Sequence, residues 1–194
     1  MLALEPTGAA GAWRIRSQCH RDSRGDFART WSLDEFRAAG ISFTPVQANT
    51  SSTVQRGTVR GMHFQRAPRA EPKLVRCSRG RIWDAITDLR PTSRTYRQTF
   101  GFELEDAGEI AIFVPAGFAH GYQTLTDSVQ VEYLMGERYT PELADGFRYD
   151  DPEAAIPWPL AATLVSECDL SWPPLGSREL WTGPVPVPSH EVTP

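Results

Sequence analysis

Between residues 41 and 139 glycine and proline cut the chain into short segments, and this punctuation limits its fold more than any other feature. The segments are "ISFTPVQANTSST" (41–53), "GTVRGMHFQ" (57–65), "KLVRCSRGRIWDAITDLR" (73–90), "RQTFGFELE" (97–105), "EIAIFVPAGFAHGYQTL" (109–125) and "SVQVEYLMGERY" (128–139). All are rich in Val, Ile, Phe, Tyr and Thr, the residues that fit a pleated surface, while Gly and Pro interrupt regular structure. Short strands at this spacing predict an all-β sandwich or barrel with only short peripheral helices. One helix is expected in "SLDEFRAAG" (32–40), where Ser32 can cap the start. Asp34 and Glu35 suit its positive N-terminal end and Gly40 can terminate it. In "RIWDAITDL" the residues Ile82, Asp84, Ile86 and Asp88 share one strand face. Acids alternating with isoleucines are foreign to a purely apolar face. They suit a jelly roll whose interior is partly polar and holds a ligand.

The chain has 194 residues and 40% apolar composition, which suits one large domain. Its net charge of −4 provides no global positive field for nucleic acid or an anionic membrane. The N-terminus "MLALEPTGAAGAW" does not read as a signal peptide, and no apolar run approaches the roughly 20 residues that span a bilayer. Cys19, Cys77 and Cys168 form no C-x-x-C pair, which favours free thiols in a reducing compartment, with the cytoplasm as the expected location. From 176 the sequence becomes "GSRELWTGPVPVPSHEVTP", with Pro184, Pro186 and Pro188 alternating. The expected division is a domain over 1–175 and an extended Pro-rich tail over 176–194.

The stretch "RGMHFQRAPRAEPKLVR" (60–76) is dense in polar and titratable groups. Strand alternation puts Arg60, Met62 and Phe64 on one face and Gly61, His63 and Gln65 on the other. His63 fits either a hydrogen-bonded histidine on a half-polar face or a metal ligand. Metal-binding jelly rolls often use H-x-H; here Gln65 takes the second position. Gln is a poor ligand for metals that prefer imidazole, so no metal is expected. If 57–65 and 73–77 pair as neighbouring strands, Lys73 reaches the same cavity as His63 and can stabilise an oxyanion there. It is the only lysine in an arginine-rich chain. His120, between Gly117 and Gly121, reads as a loop histidine or a site group. Tyr133 and Tyr139 fit packing, ring stacking or proton donation. Cys168, beside Asp169, reads as a small inert side chain.

Together these strings resemble one family. "GTVRGMHFQ", "EPKLVRCSRGRIWDAITDLRPTSRTY", "VPAGFAHGYQTL", Tyr133, "YTPE" and "GFRYDDPEAAIPWP" follow the order and spacing of the dTDP-4-dehydrorhamnose 3,5-epimerases, cupin-fold epimerases of nucleotide-linked 4-keto-6-deoxy sugars. The likeness covers roughly residues 11–175. It implies a jelly-roll cupin without metal or other cofactor, forming a homodimer with strands exchanged at the interface. It implies His63 as general base, Asp169 as its carboxylate partner, Lys73 beside the enolate oxygen and Tyr133 as general acid. Arg60 and His120 match groups around the diphosphate and sugar, Gln47 and Asn49 match a ligand-contacting Q-x-N, and Arg24 matches a binding arginine. Tyr139 matches the tyrosine that stacks on the base.

Three positions depart from the family pattern. "RGDFAR" carries Arg29 in place of Glu, "YTPELADG" carries Ala144 in place of a second Glu, and "SECD" carries Cys168 in place of Lys. All three replaced residues face the nucleotide end in the family, so the pattern implies retained chemistry on an altered ligand, with Arg29 on the pocket side. A binding protein that uses the pocket without turnover is the alternative. The intact His63, Asp169, Lys73 and Tyr133 favour the epimerase.

Overall fold

The punctuated segments fold as strands. The computed structural model describes residues 1–177, 180, 181 and 183. In chain order the strands begin with β1 (Leu2–Pro6), β2 (Trp13–Ser17), β3 (Cys19–Asp22) and β4 (Gly25–Ala28), followed by helix α1 (Leu33–Ala38). Then come β5 (Gln47–Thr53), β6 (Val59–Gln65), β7 (Lys73–Arg79), β8 (Arg81–Asp88), β9 (Thr99–Glu105), β10 (Ile110–Val114), β11 (Phe118–Thr124), β12 (Val129–Met135) and β13 (Ala144–Gly146). Helix α2 (Glu167–Ser171) lies near the end. The expected strand at 41–53 starts only at Gln47. Pro45 has no N–H for a ladder, and Ile41 and Phe43 instead bury themselves against Phe36 of α1. That helix follows Ser32 as expected and stops short of Gly40, whose φ is +75°. Ser32, however, makes no side-chain capping bond.

Two antiparallel sheets stack face to face. One has the order β1-β2-β10-β7-β12-β5, the other β13-β6-β11-β8-β9. Strands β3 and β4 form a separate ribbon. The core between the sheets is apolar at one end: Val75 and Cys77 of β7, Ile82 and Ile86 of β8, Ile112 of β10 and Val131 of β12 pack together. A second cluster covers the back of the five-stranded sheet, where Met62, Phe64 and Ala119 meet Phe147, Leu175, Leu180 and Trp181. A third covers the back of the six-stranded sheet, where Ile15, Leu74 and Phe113 meet Phe36 of α1. Leu180 and Trp181 are therefore packed positions beyond residue 175; the Pro-rich stretch 184–194 lies outside the described residues. No described helix is long and apolar enough to cross a membrane.

The mixed face of β8 is buried as the alternation predicts: Ile82, Asp84, Ile86 and Asp88 are all inaccessible. Its two acids have different partners. Asp88 accepts from Arg90 Nε at 2.8 Å and from Thr95 Oγ1 at 2.7 Å, fastening the 89–95 loop. Asp84 meets His120 at the polar end of the interior.

Candidate active site

The site begins with a bulge in β6. His120 pairs with His63 and Tyr122 with Arg60, so Gly61 and Met62 together face Gly121 alone. Gly61 has a φ of +132°, and a Cβ there would come within 2.6 Å of the Gly121 Cα. The extra residue breaks the alternation expected from the sequence. Arg60 and His63, expected on opposite faces, both line one cleft, while Met62 drops into the apolar cluster behind. The cleft has a volume of about 830 Å3 and is walled by both sheets.

On the first wall His63 Nε2 lies 2.6 Å from Asp169 Oδ1. The imidazole is 47% exposed and the carboxylate 5%. Asp169 sits in the first turn of α2, where its N–H donates to the Ser166 side chain at 3.1 Å. Its other oxygen accepts from the Gly61 N–H at 3.2 Å. Burial works to raise the Asp169 carboxyl, but the hydrogen bond and charge of His63, with the Gly61 and Ser166 bonds, outweigh it. The net result holds Asp169 below the usual carboxylate range. Asp169 is therefore an anion, so Nε2 carries the hydrogen of the pair and Nδ1 is the basic nitrogen.

The opposite wall carries Lys73 and Tyr133. The pairing of 57–65 with 73–77 that the sequence suggested does not occur. β6 lies between β13 and β11, and β7 lies between β10 and β12 in the other sheet. Lys73 still reaches the cleft because it shares the inward face of β7 with Val75 and Cys77. Its ammonium donates to Glu71 Oε1 at 2.8 Å. Tyr133 stands on the inward face of β12, edge-on to His120 with ring centroids 6.0 Å apart. Burial first, then the neighbouring Tyr122 and Asp84, push its phenol well above the ordinary tyrosine value, so it stays protonated.

His120 is a strand residue, not a loop one, and Asp84 Oδ1 lies 2.7 Å from its Nε2. Arg60 Nε donates to Thr53 Oγ1 at 3.0 Å, and Thr53 and Ser51 both bond the Tyr122 hydroxyl. Gln47 donates to Asn49 Oδ1 at 2.9 Å on β5, and exposed Tyr139 lines the rim. Gln65 accepts from the Thr140 N–H at 2.7 Å and donates to the Arg138 carbonyl at 3.0 Å, which pins the Tyr139 loop.

Two expected binding residues lie elsewhere. Arg24 pairs with Asp22 in the β3–β4 ribbon, and Arg29 donates to Glu35 Oε1 at 3.2 Å. Neither lines the cleft of its own chain, so the pocket-side position expected for Arg29 does not hold within one chain. Ala144 and Cys168, the other two departures, do line it. Sequence reasoning missed Tyr122 and Glu71 as lining residues. It also missed Asp84 as the partner of His120, although the acid on an isoleucine face was a signal.

Comparisons with known proteins place the chain as a whole. A family profile described as dTDP-4-dehydrorhamnose 3,5-epimerase matches residues 6–177. The dTDP-4-dehydrorhamnose 3,5-epimerase of Methanothermobacter thermautotrophicus is 41% identical over 178 residues, covering 90% of this chain and 95% of that protein. The dTDP-4-dehydrorhamnose 3-epimerase of Streptomyces niveus is 37% identical over 169 residues, covering 87% and 81%. The crystal structure of the Bacillus anthracis dTDP-4-dehydrorhamnose 3,5-epimerase with TDP and PPi bound has a TM-score of 0.87 at 34% identity, covering 90% of this chain and all of that one. The sandwich is thus the cupin-like jelly roll of those enzymes. With fold and sequence in agreement across most of its length, the chain belongs to the dTDP-4-dehydrorhamnose 3,5-epimerase family of sugar isomerases.

Proposed function

We propose that the protein epimerises a dTDP-linked 4-keto-6-deoxy sugar at C3, C5 or both, by removing a proton from one face of the ring and returning one to the other. The observation that carries this reading is the split of the site between two sheets. The His63–Asp169 pair stands on one wall, and Lys73 and Tyr133 on the other.

A C–H beside a ketone is acidic because its electron pair can move onto the carbonyl oxygen. His63 Nδ1 takes the proton, the C–H pair becomes a C=C bond to C4, and the carbonyl π pair moves onto O4. Asp169 stabilises the resulting imidazolium. The Lys73 ammonium stabilises the enolate oxygen. The enolate then collapses, and its carbon takes the Tyr133 phenol proton on the opposite face. Water restores both residues, so the cycle consumes nothing. The raised phenol suits this role, because Tyr133 is protonated whenever the enolate forms. Arg60 and His120 hold the diphosphate and sugar, Gln47 and Asn49 contact the ligand, and Tyr139 stacks on the base. Ala144 and Cys168 widen or neutralise the nucleotide end and alter ligand choice.

The test is incubation with dTDP-4-keto-6-deoxyglucose in heavy water, followed by proton NMR. Deuterium at C3, C5 or both is expected. Binding without exchange would favour the pocket that binds without turnover. Tyr133→Phe keeps the base, so exchange is expected to persist while inversion fails.

The working unit we propose is a homodimer. The β3–β4 ribbon joins neither sheet, and its Phe27 is 72% exposed. A second copy that takes up the ribbon covers Phe27 and carries Arg24 and Arg29 toward the neighbouring cleft. Sedimentation showing a stable monomer at micromolar concentration would count against it.

A further inference from the structure

Lys73 is the only lysine among the chain's 20 Lys and Arg residues, and its side chain is only 5% exposed. Its ammonium donates to Glu71 Oε1 at 2.8 Å, and Glu71, 11% exposed, lines the same cleft. Pro72 joins the two and fixes the backbone between them. The Gly136 N–H donates to the Pro72 carbonyl at 2.8 Å, tying this segment to the end of β12. The carboxylate and the ammonium are thus held on a rigid, anchored link.

We propose that Glu71 is a positioning residue for the reaction: it holds the Lys73 ammonium aimed at the substrate carbonyl oxygen without itself touching the substrate. The proposal rests on the reading above that Lys73 meets the enolate. A lysine side chain is flexible, and a wandering ammonium stabilises nothing in particular. Glu71 answers this with one hydrogen bond, leaving two of the three ammonium hydrogens for the ligand. Its negative charge also repels the enolate. The proposal sets the ammonium between the carboxylate and the oxygen, and Coulomb energy falls with distance, so attraction wins.

The experiment compares wild type, Glu71→Ala, Glu71→Gln, Lys73→Ala and the double variant Glu71→Ala/Lys73→Ala by deuterium exchange into the substrate. Glu71→Ala is expected to lower kcat about tenfold or more with KM little changed, since an interaction made only in the transition state is lost. Glu71→Gln recovers a large part, because its amide oxygen still accepts from Lys73. In the Lys73→Ala background, Glu71→Ala adds no further loss, the mark of a residue that acts through another. An unchanged or faster kcat in Glu71→Ala, or losses that simply add, overturns the proposal.

A second arm needs no activity. With one lysine in the chain, lysine labelled with 15N at the side chain gives one ammonium resonance in NMR. It is expected in wild type, where burial and the Glu71 bond slow exchange with water, and absent in Glu71→Ala. A wild type that exchanges no substrate proton overturns the epimerase reading, and the ammonium signal then decides the pairing by itself. The same signal in both proteins overturns the proposal.

Discussion

Two histidines stand across one strand pair, and each is held by an aspartate. His63 lies 2.6 Å from Asp169, and His120 lies 2.7 Å from Asp84. Their surroundings differ. The His63 imidazole is 47% exposed, while His120 is 6% exposed over an Asp84 that is fully enclosed. Both Asp169 oxygens have partners, whereas Asp84 Oδ2 is buried with none among the described residues. A base must reach substrate and then shed its proton to water, so the open pair suits proton transfer. The closed pair suits holding: its imidazole is fixed in place, which fits the binding role proposed for His120. Under the proposed function the same pair of side chains thus serves two tasks, and burial, not residue type, separates them.

The largest effect is expected from the open pair. His63→Ala should lower proton exchange at the sugar carbons by on the order of 10^4-fold, the upper range for a lost general base. Exchange at the wild-type rate would sink the mechanism. His120→Ala should instead raise KM by about tenfold with a smaller change in kcat, the size of one or two lost polar contacts. If the two variants lose kcat equally, the division of labour is wrong.

Their carboxylates sharpen the contrast. Asp169→Asn keeps a side chain of the same shape but no longer stabilises the imidazolium, so kcat should fall about a hundredfold, less than in His63→Ala. Steady-state kinetics on Asp84→Asn should show a change mainly in KM. The smallest effect concerns stability. Asp169 is depressed in the fold, so its contribution is present above the unfolded aspartate value of about 4 and is lost as pH falls through its lower folded value. Melting temperatures of wild type and Asp169→Asn should therefore differ at neutral pH and converge in acid. A gap that stays constant down to strong acid would mean that the carboxylate charge is not what stabilises.

Much of this was legible in sequence because it depends on local pattern. The strands follow from β-branched residues between Gly and Pro, and the polar interior from acids set among isoleucines on β8. What was not legible depends on three-dimensional pairing. Nothing local says that β6 and β7 belong to different sheets, since adjacency in sequence usually means pairing. Nor does strand alternation foresee that Gly61 inserts a residue and turns Arg60 to the same cleft as His63. Nothing local marks Glu71, because its lysine partner becomes buried only once the sheets close. Arg24 matches the family's pattern and Arg29 departs from it, yet the contacts of a single chain engage both, with Asp22 and Glu35.

His63 and Asp169 are separated by 106 positions in the chain. During synthesis the histidine leaves the ribosome long before its carboxylate exists. The wall behind it also waits, for Leu175, Leu180 and Trp181 back the strand that carries His63. The nascent chain can therefore collapse around its apolar core while still chemically silent. In the proposed reaction, proton transfer by His63 waits for Asp169 and for the residues that back its strand, so turnover would report that this later part of the fold is in place.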